Sequence, residues 1–136
     1  MADLCDQGVI DRAGRFDYRE WAETIKFYFE ECFYIPESEE AGYEVNWSLV
    51  NRRGIYKDSF RSTQCYTDYQ LRPNLCVAMA VAPEIFDRKH AKRCLEIVED
   101  VLLSPGAMGI KTLDPSDKNY RGDYVNSDSS HGWNYH

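Results

Sequence analysis

The sequence lacks a long apolar run, since its longest unbroken apolar stretch is eight residues, at positions 75–82. A membrane-spanning helix needs about 20 such residues, so we expect no membrane partner. The first ten residues, MADLCDQGVI, lack the basic start and apolar centre of a secretory signal. The five cysteines form no Cys-x-x-Cys pair. Together these absences favour a reducing, cytoplasmic location.

Positive charge is also scarce, with 16 lysines and arginines against 23 aspartates and glutamates and a net charge of −7. Nucleic-acid binding depends on clusters of Lys and Arg, so we expect no nucleic-acid partner. The basic cluster at residues 87–93 alternates with apolar positions and is interpreted as the solvated face of a helix. His90 and Cys94 have helical i, i+4 spacing but no second pair of ligands, and no glycine-rich phosphate loop is present. We therefore expect neither a metal nor another cofactor.

What the sequence does contain is typical of one globular domain. A chain of 136 residues with 43% hydrophobic and 29% charged residues has the length and composition of a single folded unit. Aromatic residues are frequent, with ten tyrosines, six phenylalanines and three tryptophans. Such a composition suits either a dense core or a surface on which a ligand stacks.

Three segments have the pattern of helices. The first is predicted to begin at a capping box formed by Asp17 and Glu20 and to end at Pro36. Its inward face is predicted to comprise Trp21, Ile25, Tyr28, Phe29 and Cys32. The second, residues 73–82, is apolar from Leu75 onward and is predicted to be a helix buried on nearly all sides, with a buried strand as the alternative. The third begins at the cap Asp87, and its apolar face is predicted to comprise Ala91, Cys94, Leu95, Val98, Val101 and Leu102.

Long polar and aromatic loops join these helices, between Pro36 and Asn74 and again after Gly109. Loops of this length inside a compact domain are usually functional. The predicted fold is therefore all-α with long irregular loops. Fully buried helices that alternate with half-buried ones are typical of the inner and outer helices of an α/α toroid.

Five strings in the loops carry a resemblance to a known family. They are NRRGIYKD (51–58), YQLRPN (69–74), MAVAPEIF (79–86), KTLDPSDKNYRGDY (111–124) and NYH (134–136). With these strings the chain resembles, from about Phe16 to His136, the C-terminal amylo-α-1,6-glucosidase region of glycogen debranching enzymes. The resemblance implies part of a six-hairpin α/α toroid, a glycosidase-type fold, in which residues 1–136 are a fragment of one glucosidase domain. Residues 1–15 are expected to be poorly ordered.

The resemblance also implies an activity, the hydrolysis of α-1,6-linked glucose at branch points of glycogen or limit dextrin. The implied mechanism is inverting, with an acid and a base held roughly 6.5–9.5 Å apart on opposite faces of the sugar. In the family pattern the proposed acid lies well upstream of this stretch, and the proposed base lies in a Gln-Gly-Pro-Glu-Trp string after Asn-Tyr-His. Neither is in this chain. We therefore assign no catalytic residue and expect the isolated chain to be inactive.

The loop at residues 111–124 contains groups that suit a sugar. Carboxylates and a guanidinium can bind hydroxyls, and a tyrosine ring can cover the apolar face of a pyranose. We predict substrate contacts from four residues of this loop, namely Asp114, Tyr120, Arg121 and Asp123. For Asp114 the alternative is a backbone acceptor in a turn.

Four further substrate contacts are predicted elsewhere in the chain. Asn134, Tyr135 and His136 would adjoin the base that the resemblance implies, and their alternative is simple anchoring of a loop. Arg72 precedes the second helix, where an ion pair or a helix cap is the alternative. A second hypothesis for the whole chain is a non-catalytic glycan-binding or interaction module, motivated by the two missing carboxylates.

Overall fold

The computed structural model describes residues 18–122, so the expectation for residues 1–15 lies outside it. Over the described residues there are three α-helices and one small sheet. The helices are α1 (Tyr18–Phe33), α2 (Asn74–Val81) and α3 (Arg88–Leu102), and the strands are β1 (Tyr34–Ile35) and β2 (Ile55–Tyr56). Short 3-10 helices lie at Trp47–Leu49, Cys65–Tyr69 and Pro83–Ile85. The regular structure is thus mostly helical, which is compatible with the predicted all-α class.

The two strands form an antiparallel pair that the sequence pattern does not predict. Tyr34 pairs with Tyr56, and Ile35 pairs with Ile55. All four side chains are buried, and both isoleucines are completely inaccessible. A strand of two residues is too short to show the alternation by which strands are recognised in a sequence. This pair nevertheless lies in the middle of the core cluster.

Helix α1 ends before Pro36, as predicted, but its predicted inward face is wrong over the first half of the helix. Trp21 is 56% exposed, and Ile25 and Tyr28 are exposed as well. The last turns are partly buried, and there Phe29 stacks on Phe33 with ring centroids 4.8 Å apart. Residues 19–25, most of the first half of α1, are exposed.

Helix α2 occupies the predicted segment, but the prediction that it is buried on nearly all sides is wrong. Leu75 is its one buried residue, whereas Val77 is 65% exposed and Val81 is 76% exposed. An apolar helix is buried on every side only if other elements pack against every side of it. Among the described residues, other elements pack against a single face of α2.

Helix α3 confirms the predicted cap and most of the predicted face. Asp87 Oδ1 accepts hydrogen bonds from the backbone N–H groups of Lys89 at 2.8 Å and His90 at 3.1 Å. Cys94, Val98 and Leu102 are buried as predicted. Leu95 is instead 43% exposed, and Ile97 packs into the core. The apolar face is therefore rotated slightly from the predicted one, toward β2, which α3 contacts directly.

Candidate functional site

Three of the sequence strings meet in the structure. The backbone N–H of Asp114 donates to the carbonyl oxygen of Leu71 at 3.1 Å. Arg52 Nε donates to Asp114 Oδ2 at 2.6 Å, and Arg72 Nη1 donates to the carbonyl oxygen of Thr112 at 3.5 Å. The loops at residues 51–58, 69–74 and 111–122 therefore form one contiguous surface, although they are far apart in the sequence.

Asp114 contacts all three of these loops, and the place where they meet is called the loop junction below. Its side chain is 1% exposed, and its Oδ1 accepts from the backbone N–H and the hydroxyl of Ser116, both at 2.8 Å. Burial raises the pKa of the carboxyl, but the hydrogen bonds from Arg52 and Ser116 outweigh it and leave the pKa below its ordinary value. The turn geometry weighed as the alternative for Asp114 is present, and sugar contact by this residue stays a prediction.

Arg72 lies in an ion-pair network at the start of α2. Its Nε and Nη2 donate to Gln70 Oε1 at 3.1 and 2.9 Å, and its Nε lies 3.9 Å from Asp58 Oδ2. Asn74 Nδ2 donates to Asp58 Oδ1 at 2.7 Å. Burial raises the pKa of Asp58, against the opposing effects of Asn74 and Arg72. The ion pair expected as the alternative role of Arg72 is therefore present.

Tyr120 and Arg121 follow the Asp114 turn on the same loop. Arg121 is exposed, and its Nη1 donates to the carbonyl oxygens of Tyr120 at 3.0 Å and Lys118 at 3.5 Å. Tyr120 is half-buried, and its backbone N–H donates to the carbonyl oxygen of Asp117 at 2.9 Å. The other predicted contacts, Asp123, Asn134, Tyr135 and His136, lie outside the described residues.

A cavity of about 250 Å³ opens beside this junction. Residues 48–51, the tyrosines Tyr66 and Tyr69, and residues 116–119 line it. Asn51 Nδ2 donates to Ser116 Oγ at 3.1 Å and so connects two of its walls. The predicted site residues include neither Tyr66 nor Asn119. The signal that could have found Tyr66 is its place in a long aromatic loop, whereas Asn119 resembles any turn residue in the sequence.

Two other polar clusters connect elements of the fold. Glu30 Oε1 accepts from Tyr56 Oη at 2.5 Å and from the backbone N–H of Asp87 at 2.6 Å, which ties α1 to β2 and to the start of α3. The His90 ring stacks on Tyr34 with centroids 3.8 Å apart, and its Nδ1 lies 3.0 Å from Glu30 Oε2. Burial raises the pKa of Tyr56, and the hydrogen bond to Glu30 adds to that effect.

The second cluster surrounds the buried Lys57. Its ammonium group donates to the carbonyl oxygens of Cys32, at 2.7 Å, and Glu44. Burial lowers the pKa of Lys57, with Glu44 and Asp68 opposing that shift. Because its donors are taken by these backbone carbonyls, Lys57 connects the last turn of α1 to the loop at Glu44.

Neither cluster has the composition of a metal centre. Within residues 18–122, no group of three or more His, Cys, Asp or Glu side chains is arranged to hold a metal ion. The helices that the structure describes are also too short or too polar to cross a membrane.

Comparison with known proteins gives two findings. A family model described as amylo-alpha-1,6-glucosidase matches residues 1–136. The chain is also 47% identical over 132 residues to the glycogen debranching enzyme of Saccharomyces cerevisiae, an alignment that covers 90% of this chain. The aligned region is 8% of that yeast enzyme, so the chain spans a small part of the curated relative's length.

Proposed function

The chain belongs to the amylo-alpha-1,6-glucosidase family, and from this membership we propose that it forms part of the glucosidase domain of a glycogen debranching enzyme. The observation that carries the proposal is the family match over residues 1–136. The proposed reaction of the complete domain is hydrolysis of α-1,6-linked glucose at branch points of glycogen or limit dextrin in the cytoplasm. The proposed mechanism is inverting, with both catalytic carboxylates supplied from outside this chain.

The described site supports a role in positioning substrate. Asp114 and Asp58 are both occupied by internal hydrogen bonds, from Arg52 and Ser116 in the first case and Asn74 in the second. Such carboxylates hold loops in fixed relative positions, and a fixed arrangement of loops is what a sugar-binding rim requires. Tyr120, Arg121 and Asp123, together with residues 134–136, are proposed as sugar contacts of that rim. Arg72 and Asp114, which were also predicted as sugar contacts, are proposed instead to hold its loops in place through their internal hydrogen bonds.

The exposed apolar faces of α1 and α2 support the toroidal part of the proposal. In an α/α toroid each helix packs against helices on either side, so a short arc leaves apolar faces uncovered. Val77 and Val81 on α2 and Phe27 on α1 are exposed in this way. We propose that further helices of the glucosidase domain cover them.

A segment exchange tests the proposed function. Residues 1–136 would replace the matching segment of the yeast glycogen debranching enzyme, and free glucose would be measured from a limit dextrin with single α-1,6-linked glucosyl stubs. The chimera is expected to release glucose within about tenfold of the rate of the unmodified enzyme. A larger loss would mean that the exchanged segment raises the activation free energy by more than about 1.4 kcal/mol. The control is the yeast enzyme with the segment deleted, which is expected to release none.

Two outcomes separate the candidate functions. A folded chimera that binds limit dextrin but releases no glucose would favour the non-catalytic glycan-binding module. A folded chimera that neither binds nor hydrolyses limit dextrin would refute both. Folding of the chimera is checked by its thermal unfolding transition, compared with that of the unmodified yeast enzyme.

A further inference from the structure

Three arginines line a cavity of about 420 Å³ between the loop at residues 51–53 and helix α3. Arg52 and Arg53 come from the loop, and Arg93 comes from α3. All three side chains are partly exposed, so a small ligand in solvent can reach them. Guanidinium groups that converge from separate segments are typical of a site for an oxyanion, because each can donate two parallel hydrogen bonds to it.

Contacts outside the cavity lining hold the three guanidinium groups in place. Arg52 Nε donates to the buried carboxylate of the loop junction, and Arg93 Nε donates to Glu37 Oε1 at 2.7 Å. The guanidinium carbon of Arg53 lies 5.0 Å from the centroid of the Trp47 ring. Among residues 18–122, Arg93 Nη1 and Nη2 and Arg52 Nη1 make no hydrogen bond. The arginines are therefore oriented before a ligand arrives and keep donors for it.

The charge of the lining favours an anion. Two carboxylates on α3, those of Glu96 and Asp100, line the cavity together with the three guanidinium groups, which leaves an excess of one positive charge. In four other cavities of 250 to 580 Å³, the acidic and basic side chains of the lining are equal in number. The cavity beside α3 thus differs from these four in the sign of the ligand that it suits.

A phosphate group can compete with two of the existing ion pairs. Arg93 is paired with Glu37, and Arg53 Nη2 lies 3.6 Å from Glu39 Oε1. The two glutamate side chains are 62% and 64% exposed. Ion pairs this exposed contribute little in water, so a ligand replaces them at low cost. A phosphate monoester also has three terminal oxygens that can each accept from a guanidinium group, whereas a carboxylate has two oxygens.

We propose that the cavity between residues 51–53 and α3 binds a phosphate group. Its terminal oxygens accept hydrogen bonds from Arg53, Arg93 and Arg52 Nη1, while Arg52 Nε stays paired within the loop junction. The group belongs either to a phosphate monoester or to free phosphate. In the first case the two carboxylates of the lining accept from hydroxyl groups of the ester.

The test is isothermal titration of the complete 136-residue chain with glycerol 3-phosphate, inorganic phosphate and glycerol. Saturable binding of both phosphates is expected, with glycerol at least about tenfold weaker. Arg53→Gln and Arg93→Gln remove a charge but keep a polar side chain, and each is expected to weaken phosphate binding by about fivefold or more. The matched control is Arg61→Gln, because Arg61 is exposed and paired with Glu44 outside the cavity, and it is expected to leave binding unchanged.

A charge change in the opposite direction gives a second readout. Asp100→Asn removes a negative charge from the lining at an exposed position. Since a like charge repels the ligand, this variant is expected to bind inorganic phosphate about two- to fivefold more tightly than the unmodified chain. Weaker binding by this variant would contradict the proposed role of the cavity charge.

The remaining outcomes identify the source of the phosphate group. Tighter binding of glycerol 3-phosphate than of inorganic phosphate supports an ester, and equal affinities support free phosphate. If neither compound binds saturably, or if both arginine variants bind inorganic phosphate as the unmodified chain does, the inference is wrong. Glucose release by the yeast chimera is measured separately, so this failure would leave the proposed function intact. Circular dichroism of each variant checks that the fold is retained.

Discussion

At the scale of single residues, the Asp114 carboxylate shows how the strings are held together. A buried carboxylate is costly unless it is paired and hydrogen-bonded, and Asp114 has Arg52 on one oxygen and Ser116 on the other. Its backbone N–H is bound to Leu71 at the same time. One residue thus joins three segments. Removal of Arg52 or Ser116 would leave the buried carboxylate with fewer hydrogen bonds to compensate its charge.

Truncating Arg52 tests this dependence. Arg52→Ala is expected to lower the free energy of unfolding by about 1.5–3 kcal/mol, since it removes a hydrogen bond to a charged group and leaves the carboxylate buried. Lys92→Ala is the control, because its ion pair with Glu96 is long and largely exposed. That change is expected to cost less than about 0.5 kcal/mol. Urea unfolding of both variants is the measurement, and equal losses would contradict the role given to Arg52.

The pKa of Asp114 makes part of the stability dependent on pH. Since the pKa of the folded state lies below the ordinary value of 3.8, the carboxylate stabilises the fold at pH values above 3.8. That stabilisation is lost as the pH falls through the lower pKa of the folded state. Asp114→Asn, which cannot ionise, is therefore expected to be less stable than the unmodified chain at pH 7, with the difference shrinking below pH 3.8. Unfolding free energies measured from pH 7 to pH 2.5 check this, and a constant difference would refute it.

Individual residues were only partly predictable from the sequence. The turn at Asp114 could be anticipated because Asp-Pro-Ser-Asp has local turn chemistry. Its partner Arg52 could not be predicted, because the two residues are 62 positions apart and a local sequence pattern cannot indicate a contact over that distance. The same limit applies to Asn119, whose side-chain nitrogen is buried without a hydrogen-bond partner among residues 18–122, because burial of this kind depends on the fold and not on local sequence.

At the scale of elements, periodicity predicts where helices lie but not how much of them is buried. Helix α3 was predictable in extent and cap, because Asp87 and the apolar spacing are local features. The burial of α2 was not, because its composition is apolar on every side while packing depends on other segments. The pairing of β1 with β2 could not be predicted either, because each strand has two residues, too few to show the alternation of apolar and polar residues that is typical of a strand.

Gly54 is the backbone position on which the entry to β2 depends. Its φ is +70°, and an added Cβ would lie 3.2 Å from Ile97 Cδ1 and 3.3 Å from Glu37 Cγ. Gly54→Ala is expected to cost about 1–2 kcal/mol for the left-handed conformation, with a further loss from crowding against α3. The control is Gly109→Ala, where no atom lies within 4 Å of the added Cβ. Thermal unfolding should show a clearly lower Tm for Gly54→Ala alone, and equal Tm values would contradict this account.

At the scale of the whole molecule, the described residues form one core with uncovered apolar faces. The core cluster joins β1, β2, α3, the buried Leu75 of α2 and the last turns of α1. The apolar residues on the far side of α2 and on the first half of α1 contribute nothing to it. The core is therefore sufficient to position the three loop strings, while the outer faces of two helices remain available for further packing.

These faces predict how the 136-residue chain behaves when it is produced alone. Val77 and Val81 lie one helical turn apart on the same face of α2, and both are exposed. Contiguous exposed apolar surface drives association, so the chain is expected to self-associate increasingly with concentration in size-exclusion chromatography with light scattering. Replacing both valines with lysine should shift the chain toward monomer and change the free energy of unfolding by less than about 0.5 kcal/mol, since neither side chain is in the core.

Lys92→Ala, on the polar side of α3, should leave association unchanged. A chain that is monomeric at every concentration would show that these faces are already covered, and so would remove the physical reason for expecting further helices around them.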